Sequence, residues 1–202
     1  LILTLRRMRQ ILDGVKDVLH DDWDPLELGL LFSKLEYEDL DVSEQLHKYQ
    51  ELAKELALQC SPNEKLRSQT EIALKAFHET LSFSGDKSNY YNIKNSFLND
   101  VYLRRKGIPI SLSLVFMGLC RLNRLKAVGI SFPGHFLVRM VPTEGYLEAS
   151  GGREEVDDWR TRWYVDCFDA SILNVSECED RLSQWTRGVI PFGPDVLKLA
   201  HP

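Results

Sequence analysis

A serine at the head of an apolar run raises a question of chemistry, nucleophile or helix cap. The serine, Ser111, lies in "KGIPISLSLVFMGLC" (Lys106 to Cys120), where a Pro-containing turn meets an apolar run. A hydroxyl at a helix start, an imidazole within reach and a carboxylate to orient that imidazole would serve as nucleophile, general base and orienter. Helix N-terminal amides there could hold an oxyanion. The same serine, close after Pro109, equally suits a purely structural helix cap. His135, alone in the strand-like "HFLVRM", must satisfy both ring nitrogens. Asp166 of "RWYVDCF" can do that with or without turnover. Arg139 shares the face of His135 and can meet a carboxylate or a ligand. Asn95 and Tyr91 in "YYNIKNS" are candidates to line a cleft, or to form a turn closed by an aromatic plug. His135, Asp166, Cys167 and Cys178 include metal-ligand types, but successive strand residues point to opposite faces. Asp166 and Cys167 therefore do not share an ion easily, and neither a metal nor a cofactor is expected.

Positioning such a site falls to a helix and a few strands. In the run from Ser111 to Arg121 the apolar residues Leu112, Leu114, Val115, Phe116, Met117, Leu119 and Cys120 cover most of the helix circumference, which predicts a helix buried on nearly all sides. "KAVGISF", "HFLVRM" and "RWYVDCF" predict antiparallel strands near 127–132, 135–141 and 162–168, the first two separated by Pro133-Gly134. Period two puts His135, Leu137 and Arg139 on one face and Phe136, Val138 and Met140 on the other. Likewise Tyr164 and Asp166 oppose Trp163, Val165 and Cys167. Between the strands, "GYLEASGGREEVDDWR" predicts an exposed polar loop.

Upstream, leucines and aromatics at three- and four-residue spacing predict helices over most of residues 1–84, with Asp24, Asp41 and Ser43 as caps and a stop at Gly85. The expected organisation is a helical N-terminal region at 1–84, a core at 85–185, and the start of a further helical extension at 186–202. The abrupt ends suggest an excerpt of a longer protein.

A length of 202 residues, 44% hydrophobic and 27% charged, suits a globular α+β chain with a sizeable core. The net charge of -5 gives no electrostatic reason to expect nucleic acid or anionic lipid. Cys60, Cys120, Cys167 and Cys178 show neither metal-ligand spacing nor a dense disulfide framework, as expected of reduced thiols in the cytoplasm. No segment has the roughly 18 uninterrupted apolar residues of a membrane helix.

The segments "YYNIKNSFLNDVYLRRKGIPISLSLVF", "GISFPGHFLVRM" and "YVDCFDA", with "EYEDLDV" upstream, together resemble the bacterial SirB family of the transglutaminase-like superfamily, over roughly residues 25 to 185. The resemblance implies a papain-like α+β core, a central helix packed on a small antiparallel sheet, with tetratricopeptide-like helices following it. In active members of the superfamily a Cys at the helix start, a His on the next strand and an Asp on the one after form a triad. Those positions fall on Ser111, His135 and Asp166. Here the cysteine is absent, and serine is the SirB family's usual residue. Two functions follow as expectations: a non-catalytic or weakly active regulatory scaffold that binds another protein, or a hydrolase or acyltransferase of amides using Ser111, His135 and Asp166.

Overall fold

The computed structural model describes residues 23–57, 65–142 and 159–199. The helix expected near the N-terminus, the loop at 145–158 and Cys60 lie outside the described residues. Three helices lead: α1 (Pro25–Ser33), α2 (Val42–Ala57) and α3 (Leu66–Lys75). Asp24 caps α1 through Oδ1, which accepts from the amides of Leu26 at 2.8 Å and Glu27 at 3.3 Å, while Pro25 occupies the first turn. Asp41 caps α2 by accepting from Glu44 N at 3.0 Å.

After α3 the coil widens into a π turn, Ala76–Thr80, and it stops there, short of Gly85. Ser82 turns the chain with φ 61°, and Gly85 belongs to a short strand, β1 (Ser84–Gly85). This glycine is needed for space: a Cβ there would stand 2.6 Å from the Phe168 ring. After α4 (Leu98–Arg104), β2 (Lys106–Gly107) pairs parallel with β1 and holds the turn that precedes α5 (Pro109–Leu122).

Helix α5 is the centre of the molecule. Leu112, Val115, Phe116, Leu119 and Cys120 are fully buried against residues from α1, α2 and α3 on one side and from the sheet on the other. The sheet runs β3 (Lys126–Phe132), β4 (His135–Val141), β5 (Trp163–Asp166) and β6 (Ser171–Asn174), antiparallel throughout and in chain order. β3 and β4 meet at Pro133-Gly134, where Gly134 takes φ 73°, a conformation glycine adopts without steric cost. β6 was not anticipated, because its four residues carry too short an alternation to stand out.

Each face of the sheet has its own core. Val138, Met140, Val165 and Cys167 face α5, whereas Ile130, Phe132, Leu137, Tyr164 and Leu173 face α6 (Val175–Thr186) and Leu197. Where a further helical extension was expected at 186–202, the described chain makes a 3-10 turn, Pro194–Leu197, and then runs extended. Lys198 O accepts from Ser131 N at 3.1 Å, and Leu199 bridges Ile130. The open edge of β3 offers these residues hydrogen bonds that outcompete the helical spacing.

Candidate functional site

The fold brings two of the three triad positions together. Phe132 and His135 are direct partners across the β3–β4 hairpin, so both face α6. Continuing the register from Val138↔Val165 sets Asp166 opposite Leu137, two positions from His135 on that face. Nε2 of His135 lies 3.0 Å from Oδ1 of Asp166. This is an ion-pair distance inside the protein.

Asp166 has no solvent exposure and gathers further partners. Oδ1 accepts from the amides of Phe168 at 2.9 Å and Asp169 at 3.0 Å, closing a local turn. Oδ2 is paired with Arg181 of α6, whose guanidinium also reaches Asp169 at 3.3 Å and Ser171 Oγ at 3.2 Å. Burial pushes the Asp166 carboxyl up, but the His135 ring, the Asp169 amide and the Arg181 charge outweigh it and hold the group below its ordinary value. Trp185 tilts over His135 at 5.2 Å between ring centroids, and Phe168 stands edge-on to it at 6.2 Å. Arg181, Trp185 and Phe168 escaped sequence reasoning. The signal for the first two was the i, i+4 spacing of Cys178, Leu182 and, offset by one, Arg181 and Trp185 on α6.

Ser111 belongs to the first turn of α5, the helix packed on the other face of the sheet. It is 1% exposed. Its hydroxyl donates to Asn95 O at 2.6 Å, with Ile108 O 3.1 Å away, and accepts from Ile108 N at 3.1 Å, which caps the first turn of α5. One hydroxyl has one proton, and the backbone takes it. Gly107 is pressed against the same atom, since a Cβ there would lie 2.6 Å from it.

Asn95 anchors the turn that carries this carbonyl. Its amide donates to Asn89 O at 2.8 Å and Tyr90 O at 3.2 Å, and its Oδ1 accepts from Arg104 at 2.8 Å. Arg104 also pairs at 2.9 Å with buried Asp86. Burial again pushes the Asp86 carboxyl up, but Ser88, the Asn89 amide, Arg104 and Asn95 bring it below its ordinary value. Tyr91 corrects the expectation of an aromatic plug: it is 95% exposed, its ring edge-on to Tyr90, because the turn held by Asn95 points it outward. Arg139 shares the face of His135, and its charge bears on the Tyr164 phenol, which burial pushes up.

Cys120, Cys167 and Cys178 are buried. Burial raises Cys167 well above its ordinary value and pushes Cys178 up to about 12. Among the described residues no three His, Cys, Asp or Glu side chains are grouped to hold a metal ion, and no helix is long and apolar enough to cross a membrane.

A central helix on an antiparallel sheet, with a His–Asp pair on adjacent strands, is an arrangement that the sequence relationships account for. The chain belongs to the transglutaminase-like superfamily, matching that family over residues 41–202. It is 35% identical over 190 residues to a UPF0162 protein of Xylella fastidiosa (strain 9a5c), covering 88% of this chain and 58% of that protein. Human F-box only protein 21 is 34% identical over 122 residues, which are 59% of this chain and 18% of that protein. A UPF0162 protein of Vibrio cholerae is 40% identical over 86 residues, 43% of this chain and 31% of that protein. The chain thus spans less than two thirds of the length of these relatives. No solved structure matches it.

Proposed function

We propose that this chain is a transglutaminase-like module of the SirB type that catalyses no acyl transfer at Ser111 and serves as a regulatory or protein-interaction scaffold. One observation carries this: the Ser111 proton is donated to Asn95 O at 2.6 Å inside the protein, where a nucleophile would have to give it to a base. A general base must come within about 3 Å, between heavy atoms, of the group whose proton it takes, and among the described residues the hydrogen bonds of Ser111 go to backbone alone. Matching segments in UPF0162 proteins and in an F-box only protein, where they make up 18% of the chain, favour a unit carried by different proteins. A cytoplasmic setting agrees with the buried thiols, and the SirB likeness adds tetratricopeptide-like helices to this reading. The partner in this proposal is a protein; neither nucleic acid nor membrane is part of it.

A second proposal, an amide hydrolase or acyltransferase, draws support from the preserved His135–Asp166 pair. Ser111→Cys separates the two. A thiol at a helix start beside a working histidine forms thiolate readily. With wild-type labelling subtracted, iodoacetamide at neutral pH should leave the introduced thiol unmodified, and adding His135→Ala should change nothing. Wild-type protein should also form no adduct with a fluorophosphonate by intact mass. Rapid alkylation that slows in His135→Ala, or a fluorophosphonate adduct on Ser111, would overturn the scaffold proposal.

A further inference from the structure

The segment that covers β3 is joined to α6 by an exposed connector, Arg187 to Pro191, in which Val189 is 79% and Ile190 40% exposed. The chain reverses there because Arg187 and Gly188 take φ 53° and 74°, in the left-handed region. Glycine accepts that conformation, whereas arginine is strained in it. Beyond the connector, Leu197 is buried in one core with Ile130, Phe132, Leu137 and Leu182. Lys198 O accepts from Ser131 N at 3.1 Å, and Leu199 bridges Ile130.

The sequence carries a second conformation for the connector. Cys178, Leu182, Trp185 and Val189 follow one another at four, three and four residues, the spacing of one helix face. α6 buries the first two and stops before Val189. Were Arg187 and Gly188 helical, α6 would run on through Val189, and Pro191 would end it by disfavouring the helical conformation at Ile190. Trp185, 45% exposed, and Val189 would then stand one turn apart on one face. A straight helix carries the following segment away from its own β3, and the edge that fits this segment is then the β3 of another copy.

We propose that two copies of this chain exchange the segment Pro194–Leu199: α6 straightens through Val189, and each copy's segment takes the other's β3 edge. The occupant is the one the structure already shows on that edge, supplied by a second copy. Every contact of the segment is kept in the exchange, so the balance between closed monomer and dimer rests on the connector and on concentration. Straightening relieves Arg187, and because both connectors span the same gap, exposed Val189 and Ile190 gain an apolar partner in each other. The exchange goes beyond the scaffold proposal and is independent of Ser111.

Gly188→Ala tests the hinge. Nothing stands within 4 Å of the Cβ it adds, so the left-handed φ alone resists it, and alanine also favours the straight helix. In sedimentation equilibrium of the full chain, this variant should dimerise at least about tenfold more tightly than wild type. Gly193→Ala, at a φ of -174° that any residue adopts, should change nothing. Deleting Val189 and Ile190 shortens the reach back to the chain's own β3 and should likewise leave a dimer. Leu197→Asp removes the buried anchor from both forms and should abolish dimerisation. In a mixture of differently isotope-labelled Gly188→Ala chains, an NOE from the Ser131 amide to the Leu199 α proton should cross between copies. If Gly188→Ala and the deletion both stay monomeric, or if their dimer survives Leu197→Asp and shows no such NOE, the exchange is overturned and the scaffold proposal stands.

Discussion

A carboxylate with no access to water persists as an ion only when several partners replace the lost hydration, and Asp166 has His135, Arg181 and two backbone amides. Asp166→Asn keeps the shape but removes the charge, leaving a partly buried guanidinium without its closest counter-ion. We expect it to destabilise the protein by about 2–4 kcal/mol in urea unfolding at neutral pH. The pH dependence has a definite sign. Because the folded carboxyl is held below its unfolded value of about 3.9, its contribution is present above about pH 4 and is lost as pH falls through the folded value. The stability of Asp166→Asn should therefore fall less steeply than wild type below pH 4; parallel acid profiles would show that the ion pair contributes little. Period two placed each of the two residues on a face of its own strand, and the family resemblance implied that His135 meets Asp166. Arg181 was not legible, since only the docking of α6 on the sheet brings it there.

At the scale of elements, α5 shows two effects in competition. Gly118→Ala improves helix propensity by about 1 kcal/mol in an open helix. Here the new Cβ would collide with Cγ of fully buried Leu26 on α1, and overpacking a close contact costs about 1–3 kcal/mol. Packing should win, so the urea midpoint should fall; a rise would mean that α1 yields easily. The position and burial of α5 were legible because its apolar residues surround the helix, and the strands because their alternation is regular. The π turn and β6 were not. The first depends on how Phe77 packs against Phe83 and Phe116, with ring centroids 4.7 and 5.4 Å away, and the second on hydrogen bonds from β5.

For the whole molecule, residue 84 is no physical boundary. Leu26, Leu30, Tyr49 and Phe77 share one core with Leu98, Val115 and Phe116. Hydrogen bonds cross as well: Tyr49 Oη donates to Leu98 O at 2.8 Å, Leu98 N to Ser33 Oγ at 2.9 Å, and Asn123 Nδ2 to Ala53 O at 3.0 Å. Residues 85–185 alone would expose the face of α5 that these helices cover. Such a fragment should give a collapsed amide NMR spectrum with little dispersion, while the full chain unfolds in one transition. A well-dispersed spectrum would show that the helical layer is dispensable.

The sequence by itself determined the α+β class, the buried helix behind Pro109 and the strands around Pro133-Gly134, because each follows from periodicity or turn chemistry within a few residues; the meeting of His135 with Asp166 was implied only by the family resemblance. Tertiary structure alone decided that the Ser111 proton goes to Asn95 O, that Arg181 completes the Asp166 cluster, and that the segment through Leu199 covers β3. Those outcomes depend on which hydrogen-bond partners, distant in the chain, the packed elements bring within reach, and spacing along the chain carries no record of that.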